Sequence, residues 1–224
     1  MLDKLYPYRF ELFFITQLTV LFGSIVIPNA LFENWMTPIL LTGNLIFGVV
    51  LVSKNIYLFR FLLTFLIITA LIIVVGLLNS HIDKSFDYLK LASYFMFYAI
   101  VTWEIIKQVW KAKVVGKNVI LGLISGYISL GLLAFFLCLT IEIIDPNSFS
   151  SLVGTGFGDG VKSEQLMYFS YITLMTIGFG DILPVSPIAQ KAAMFIGLIG
   201  QFYLVILTAI VVGKYINQTA KNYN

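Results

Sequence analysis

Residues 173–184 read Thr-Leu-Met-Thr-Ile-Gly-Phe-Gly-Asp-Ile-Leu-Pro, and they lie between two long apolar segments. A cation that leaves water needs oxygen atoms to replace its hydration shell, and stacked backbone carbonyls supply such atoms. To point successive carbonyls at one axis, the backbone must alternate between ordinary and positive φ values. Gly178 and Gly180 reach positive φ without steric cost. The stretch is therefore expected to form a loop whose carbonyls bind cations.

Residues 176–181, Thr-Ile-Gly-Phe-Gly-Asp, resemble the selectivity filter of the potassium channel family, whose common form is Thr-Val-Gly-Tyr-Gly-Asp. The resemblance is specific over 163–184 and moderate over 118–217, and before that it rests on the number of apolar segments. It implies that backbone carbonyls and one threonine hydroxyl coordinate K⁺, and that the second glycine completes the filter. The residues concerned are Thr176, Ile177, Gly178, Phe179 and Gly180.

The composition predicts an all-α membrane protein. The chain is 59% hydrophobic and 11% charged, with a mean hydropathy of +0.95. A soluble domain of this length could not cover so much apolar surface with so few charges. The net charge of +3 gives no reason to expect nucleic acid. Because Cys138 is the single cysteine, no disulfide framework or metal-ligand cluster is expected, and no cofactor beyond the permeant ion.

Hydropathy predicts six transmembrane helices, with a re-entrant pore helix and filter between the fifth and the sixth. The predicted spans cover residues 12–31, 36–52, 58–78, 88–110, 119–144 and 188–216. A cleaved signal peptide could mimic the first span, although its apolar run is long for one. Residues 1–117 would form a peripheral four-helix domain that resembles a degenerate voltage sensor, with a short inner linker. Residues 118–224 would form the pore domain.

The distribution of basic residues predicts cytoplasmic N- and C-termini and a location in the plasma (inner) membrane. Ten of the 14 lysines and arginines would then lie inside, where a positive excess is usual. Outside lie only Lys84, Lys90, Lys162 and Lys191. Most acidic residues also fall outside, among them Glu142, and acidic groups at an outer mouth would raise the local cation concentration.

A short helix over 163–175 is predicted to support the filter, with Ser163 as its N-cap and Glu164 in its first turn. Its C-terminal end would direct partial negative charge at the pore axis. Phe179 replaces the common filter tyrosine, and Ile172 stands where some family members place a carboxylate. We therefore expect a less firmly held outer filter. Its predicted supports are Asp181, Tyr168, Phe169, Tyr171 and Met175.

The predicted fourth span carries no basic residue between Leu91 and Trp103. Moving one elementary charge through 100 mV yields about 2.3 kcal/mol, and steep sensing needs several such charges in each subunit. Steep voltage gating is therefore not expected. Residues 104–115 have apolar and basic positions at helical spacing. They form either a linker along the inner membrane surface or the basic inner end of the fourth span.

Gly200 and Gly197 of the last span are candidates for a gating hinge, and close helix packing is the alternative reason for these glycines. Few residues flank the first and last spans, so control is expected through lipid, tension, pH, permeant ions, the peripheral domain or a separate regulatory subunit. Residues 154–160, Gly-Thr-Gly-Phe-Gly-Asp-Gly, resemble a second filter. They lack the residue between threonine and glycine and a preceding helix, and are interpreted as an outer loop.

Together these features predict a potassium-selective channel that conducts passively. One filter per chain requires several copies around one axis, and the resemblance implies a homotetramer in contact with membrane lipids. The close alternative is a weakly selective cation channel of the same architecture. A subunit of a potassium uptake transporter would usually carry several filter-like loops in one chain. An intact filter disfavours a non-conducting regulatory subunit. An enzyme is not expected, because the predicted spans contain no cluster of catalytic residues.

Overall fold

The structure is a computed structural model of the 224-residue chain, and it describes residues 5–27, 36–78, 84–152 and 160–222. In these ranges the regular structure is helical, with one isolated β-bridge between Phe149 and Pro184. The chain divides into two compact units, Met1–Glu104 and Ile105–Asn224. The division falls inside a helix, 13 residues before the boundary that the sequence suggested.

In its described residues, the first unit contains three complete helices and most of a fourth. Helix α1 spans Arg9–Phe22 between two short 3₁₀ turns, Tyr6–Tyr8 and Gly23–Ile25. Helix α2 spans Thr37–Leu51, α3 spans Ile56–Leu78, and α4 spans Lys84–Lys111. Each lies within a predicted apolar segment or extends it by a few residues. The exception is α1, which ends nine residues before the predicted limit of 31; residues 28–35 lie outside the described part.

A buried asparagine joins three helices of this unit. The side-chain amide of Asn44 donates to the Phe13 carbonyl and to the Thr16 hydroxyl, over 3.2 and 2.7 Å. The Tyr98 hydroxyl donates to the Asn44 carbonyl oxygen over 2.8 Å. Because a buried amide is costly without partners, these bonds fix the register of α1, α2 and α4. Gly48, one turn further along α2, leaves room for the Phe97 ring.

The second unit contains a pair of long helices around a short one. Helix α5 spans Lys117–Ile144, and the short helix α6 spans Gly160–Leu174. The last helical segment is α-helical over Pro187–Phe202 (α7), π-helical over Tyr203–Leu207, and α-helical again over Thr208–Asn222 (α8). Pro187 at the first turn and the Ser186 hydroxyl, which accepts from the Ala189 amide, begin α7.

Two helices in the described ranges are long and apolar enough to cross a membrane, namely Lys117–Ile144 and Pro187–Ala220. Shorter apolar helices occupy Ile39–Leu51 and Ile56–Leu71. An α-helix rises 1.5 Å per residue, and a span needs about 20 apolar residues. The two long helices flank α6 in sequence, so residues 173–184 lie between two membrane-capable helices.

Two glycines of α5 make space for tyrosine rings from the helices that follow. A Cβ on Gly131 would overlap the Tyr171 ring, and one on Gly126 would overlap the Tyr203 hydroxyl. The Tyr171 hydroxyl donates to the Ile128 carbonyl over 2.7 Å. The Tyr203 hydroxyl donates to the Leu123 carbonyl over 2.6 Å. Small residues thus let α6 and the last helical segment approach α5 closely.

The prediction for the start of the short helix was wrong. Helix α6 begins at Gly160, so Ser163 lies within the helix rather than at its N-cap, and Glu164 lies beyond its first turn. The additional turn brings Lys162 to Glu142 of α5, with 2.7 Å between the charged atoms. This contact was not visible in the local sequence. The second filter-like motif falls almost wholly on 153–159, outside the described residues.

Residues 104–111 continue helix α4 without a break, and residues 112–116 are not helical. The Lys214 ammonium of α8 donates to the carbonyls of Trp110 and Ala112. The Gln218 side chain accepts from the Val115 amide over 2.8 Å. The segment after α4 is therefore attached to α8 by hydrogen bonds, which agrees with the interpretation of residues 104–111 as the basic end of the fourth helix.

Candidate functional site

Within residues 173–184, every second residue from 176 to 180 has a left-handed backbone conformation. Thr176 has φ 58°, Gly178 has φ 55° and Gly180 has φ 80°. The two glycines have the positive φ that the sequence predicted, whereas the left-handed threonine was not foreseen. A positive φ costs a non-glycine residue free energy and persists only where the surroundings hold it. The alternation is the backbone pattern that brings successive carbonyls to one side of a chain.

The start of this stretch is attached to the last turn of α6. The amides of Ile177 and Gly178 both donate to the Ile172 carbonyl, over 2.9 and 3.4 Å. Ile172 itself is buried. The stretch therefore leaves the helix along a path fixed by backbone hydrogen bonds, and Ile172 contributes through its carbonyl. Its apolar side chain stands at the position where some members of the potassium channel family have a carboxylate.

The other carbonyls of the last turn of α6 also have donors. The Tyr171 carbonyl accepts from the Met175 amide, and the Thr173 carbonyl accepts from the Thr176 amide. The Leu174 carbonyl accepts from the Tyr127 hydroxyl of α5 over 3.2 Å. Helix ends leave such carbonyls without intrahelical partners, so these bonds make the end of α6 a fixed platform for the stretch that follows.

Gly200 of α7 packs directly against this platform. A Cβ on Gly200 would overlap the Leu174 carbonyl, whereas a Cβ on Gly197 would be 3.9 Å from the Thr173 carbonyl. Both glycines lie in regular α-helix, and the π-helical turn begins at Tyr203. Close packing accounts for Gly200 directly, and the hinge role of the two glycines stays a prediction.

The side chains from Ile177 to Asp181 differ in their surroundings. The Tyr168 hydroxyl is hydrogen-bonded to the Asp181 carboxylate, which also accepts from the Ile182 amide over 3.1 Å. Phe179 is 70% exposed and Ile177 is 49% exposed on a single chain. Tyr168 supplies the aspartate with the partner that Ile172 cannot.

Tyr168 is the predicted aromatic support that reaches the stretch through its side chain. The buried Phe169 ring packs edge-on against Phe149 of the preceding loop, with 5.1 Å between ring centroids. Tyr171 points at α5, as described above. Met175 is exposed and connects to α6 through its amide. Each of the four residues thus makes a different contact on or around α6.

Two loop segments pair with each other at the C-terminal end of the stretch. The Ser150 amide donates to the Leu183 carbonyl, and the Val185 amide donates to the Ser148 carbonyl, each over 2.8 Å. Phe149 and Pro184 form the β-bridge between these bonds. We call residues 145–150 and 183–186 the outer brace. The sequence did not predict it, because neither segment has a strand pattern.

The sequence placed Glu142 among the acidic residues of the outer segments, and the structure shows that its side chain is buried. It is 3% exposed and forms an ion pair with Lys162. A buried, paired carboxylate contributes little to the field at an outer mouth. The described His, Cys, Asp and Glu residues contain no group of three or more that could hold a metal ion.

The chain thus combines two membrane-capable helices, a short helix between them, and an exposed stretch of alternating handedness after that helix. This arrangement can present backbone oxygens to a partly dehydrated cation. It places Thr176, Ile177, Gly178, Phe179 and Gly180 in one continuous segment. The coordination of K⁺ by these residues stays a prediction.

Residues 123–217 match a family model described as an ion channel. The matched region begins within α5, ends within α8, and contains all of α6 and the stretch that follows it. The match supports an ion channel family and a membrane protein. Such families transport ions rather than catalyse reactions. Neither the curated proteins nor the solved structures contain a match to this chain.

Proposed function

We propose that this protein is a potassium-selective channel that conducts K⁺ passively as a homotetramer. The observation that carries the proposal is the left-handed conformation at Thr176, Gly178 and Gly180. These residues come directly after α6, whose last turn is held by hydrogen bonds. An ordinary surface loop needs one or two left-handed residues to turn. Regular alternation over five residues suits a chain whose carbonyls form a stack.

Each subunit supplies one edge of the proposed pore. The carbonyls of Thr176, Ile177, Gly178 and Phe179, with the Thr176 hydroxyl, would replace water around K⁺. Residues 175–181 are all exposed on the single chain. Exposed apolar side chains such as Phe179 and Ile177 favour coverage by neighbouring subunits. Several copies around one axis would both cover these side chains and close the ring of oxygens.

The remaining features of the proposal concern the membrane. Six spans, with α6 re-entrant, would place both termini in the cytoplasm and the filter near the outer face of the plasma (inner) membrane. The first four spans would form a peripheral domain in contact with lipid. Because α4 has no basic residue between Leu91 and Trp103, we do not expect steep voltage gating. A separate regulatory subunit is compatible with this architecture.

Ion flux from liposomes that contain the purified protein tests the proposal. We expect K⁺ efflux down its gradient, little Na⁺ flux, and block by barium. Gly178→Ala should abolish the flux, because φ 55° strains any residue with a Cβ. Gly43→Ala is the matched control, since no atom lies within 4 Å of the added Cβ, and it should conduct normally.

Other results would favour the alternatives. Equal passage of K⁺ and Na⁺ would contradict selectivity and favour a weakly selective cation channel. Flux that requires a second, coupled ion would favour a subunit of a potassium uptake transporter. Normal flux through Gly178→Ala would show that this backbone conformation is not needed for conduction.

A further inference from the structure

Glu142, in the last turn of α5, is a buried carboxylate that the proposed coordination of K⁺ does not use. Its side chain is 2% exposed, and that of its partner Lys162 is 20% exposed. A buried charge is costly unless it is paired and accepts further hydrogen bonds. The surroundings of Glu142 meet both conditions.

The carboxylate also accepts two backbone hydrogen bonds from the turn that follows α5. The Asn147 amide donates to Oε1 over 2.9 Å, and the Phe149 amide donates to Oε2 over 3.2 Å. Asn147 has φ 67°, a conformation that few residues other than glycine adopt. With Lys162, three donors converge on one carboxylate, which joins α5, α6 and this turn.

The turn is part of the outer brace, so the carboxylate is connected to the segment that leaves the filter. Phe149 and its neighbours Ser148 and Ser150 pair with residues 183–186 through the hydrogen bonds already described. Residue 183 is only two positions after Asp181. A displacement of the turn would therefore reach the end of the filter through paired backbone.

We propose that Glu142 and Lys162 form an anchor that positions the outer brace and thereby sets how long the filter stays conducting and selective. The proposal rests on the function proposed above. Binding sites lose performance when their supporting contacts allow displacements of about half an ångström. Glu142 and Lys162 are positioning residues, because they act on the filter through the brace and do not contact the ion.

Glu142→Gln tests the anchor, with Glu164→Gln of α6 as the matched control. Hydrogen exchange should become faster at the amides of Asn147, Phe149 and Val185 in Glu142→Gln, and should stay unchanged there in the control Glu164→Gln. The expected increase is about tenfold, the change in an opening equilibrium when a charge-assisted hydrogen bond is lost. In liposomes at low external potassium, the K⁺ flux of Glu142→Gln should decline faster and admit more Na⁺.

Two further variants separate the ion pair from the backbone bonds. Lys162→Gln keeps the carboxylate and its two backbone donors, so its effects should be smaller than those of Glu142→Gln. The exchanged pair Glu142→Lys with Lys162→Glu restores opposite charges. It should not restore normal exchange or flux, because a lysine at position 142 cannot accept from the amides of Asn147 and Phe149.

The readouts distinguish failure of the anchor from failure of the proposed function. Unchanged exchange at residues 147–150 and 183–186 in Glu142→Gln would overturn the anchor, whatever the flux. Faster exchange with an unchanged flux decline and unchanged K⁺/Na⁺ ratio would overturn its control of the filter. A wild-type protein that conducts without selectivity would contradict the proposed function, and the exchange data would still decide whether the anchor exists.

Discussion

At the scale of single residues, the site depends on backbone conformations that few side chains permit. Thr176 keeps φ 58° because its amide is bonded to the Thr173 carbonyl and the following amide is bonded to Ile172. Gly178 and Gly180 supply the other two left-handed positions. A third glycine, Gly200, is required by proximity rather than by φ, because it touches the Leu174 carbonyl.

Gly200→Ala should destabilise the protein by about 1–3 kcal/mol, the usual cost of overpacking a well-packed contact. The added Cβ would overlap backbone atoms, which cannot rotate away as a side chain does. Gly197→Ala is the control, with its nearest atom at 3.9 Å. Thermal unfolding in detergent measures both. Equal melting temperatures for the two variants would contradict this account of Gly200.

Phe179→Tyr should slow the loss of current at low external potassium. The wild-type phenylalanine has no hydroxyl to join the filter to its surroundings, and on one chain its ring is 70% exposed. A tyrosine would add a donor at the same position. Recordings at low and high external potassium compare the two proteins. The same current loss in both would refute the idea that the outer filter of the wild type is weakly held.

At the scale of elements, most helices could be predicted, because their apolar segments are long and end at charged residues, proline or glycine. The bounds of α2, α3 and α5, and the start of α7, lie within a few residues of those expected. The start of α6 could not be predicted, since the contact between Lys162 and Glu142 joins residues 20 positions apart. The outer brace was missed for the same reason.

The glycines of α5 illustrate a second limit of the sequence. Gly126 and Gly131 sit in an apolar segment, where glycine usually signals only close packing. Their partners, Tyr203 and Tyr171, lie on other helices. Tyr171, a predicted support of the filter, donates its hydroxyl to the Ile128 carbonyl and so attaches α6 to α5. Which ring fills which gap depends on the three-dimensional arrangement of the helices.

Asn44→Ala should destabilise the first unit by about 1–3 kcal/mol, because it removes partners from buried polar groups on two other helices. The groups concerned are the Phe13 carbonyl and the hydroxyls of Thr16 and Tyr98. Tyr98→Phe removes one of these bonds and should cost less. A double-mutant cycle by chemical denaturation measures the coupling. A coupling energy of zero would contradict a shared network.

At the scale of the whole molecule, the proposed pore requires several copies of the chain. The proposed coordinating residues are exposed on one subunit, and a single edge of carbonyls cannot surround an ion. The family match lies within the second unit and does not extend into the first. An inference about the first four helices therefore rests on their own sequence. Because α4 has no basic residue between Leu91 and Trp103, we do not expect it to support steep voltage gating.

The purified protein should have a mass about four times that of the 25.2 kDa chain. Native mass spectrometry in detergent measures the stoichiometry directly. Glu164→Gln, which changes a residue outside the filter and the brace, should assemble identically. A stable dimer or monomer that still conducts K⁺ selectively would contradict the proposed ring of four filter edges.

The proposed selectivity of residues 176–180 for K⁺ over Na⁺ can be measured as the reversal potential across a planar bilayer. With a tenfold K⁺ gradient balanced by Na⁺, a selective pore should reverse near the potassium equilibrium potential, about 59 mV from zero. Thr176, Gly178 and Gly180 would then form a selective filter. Currents that reverse near zero would mean that both ions pass equally, and would contradict the proposed selectivity.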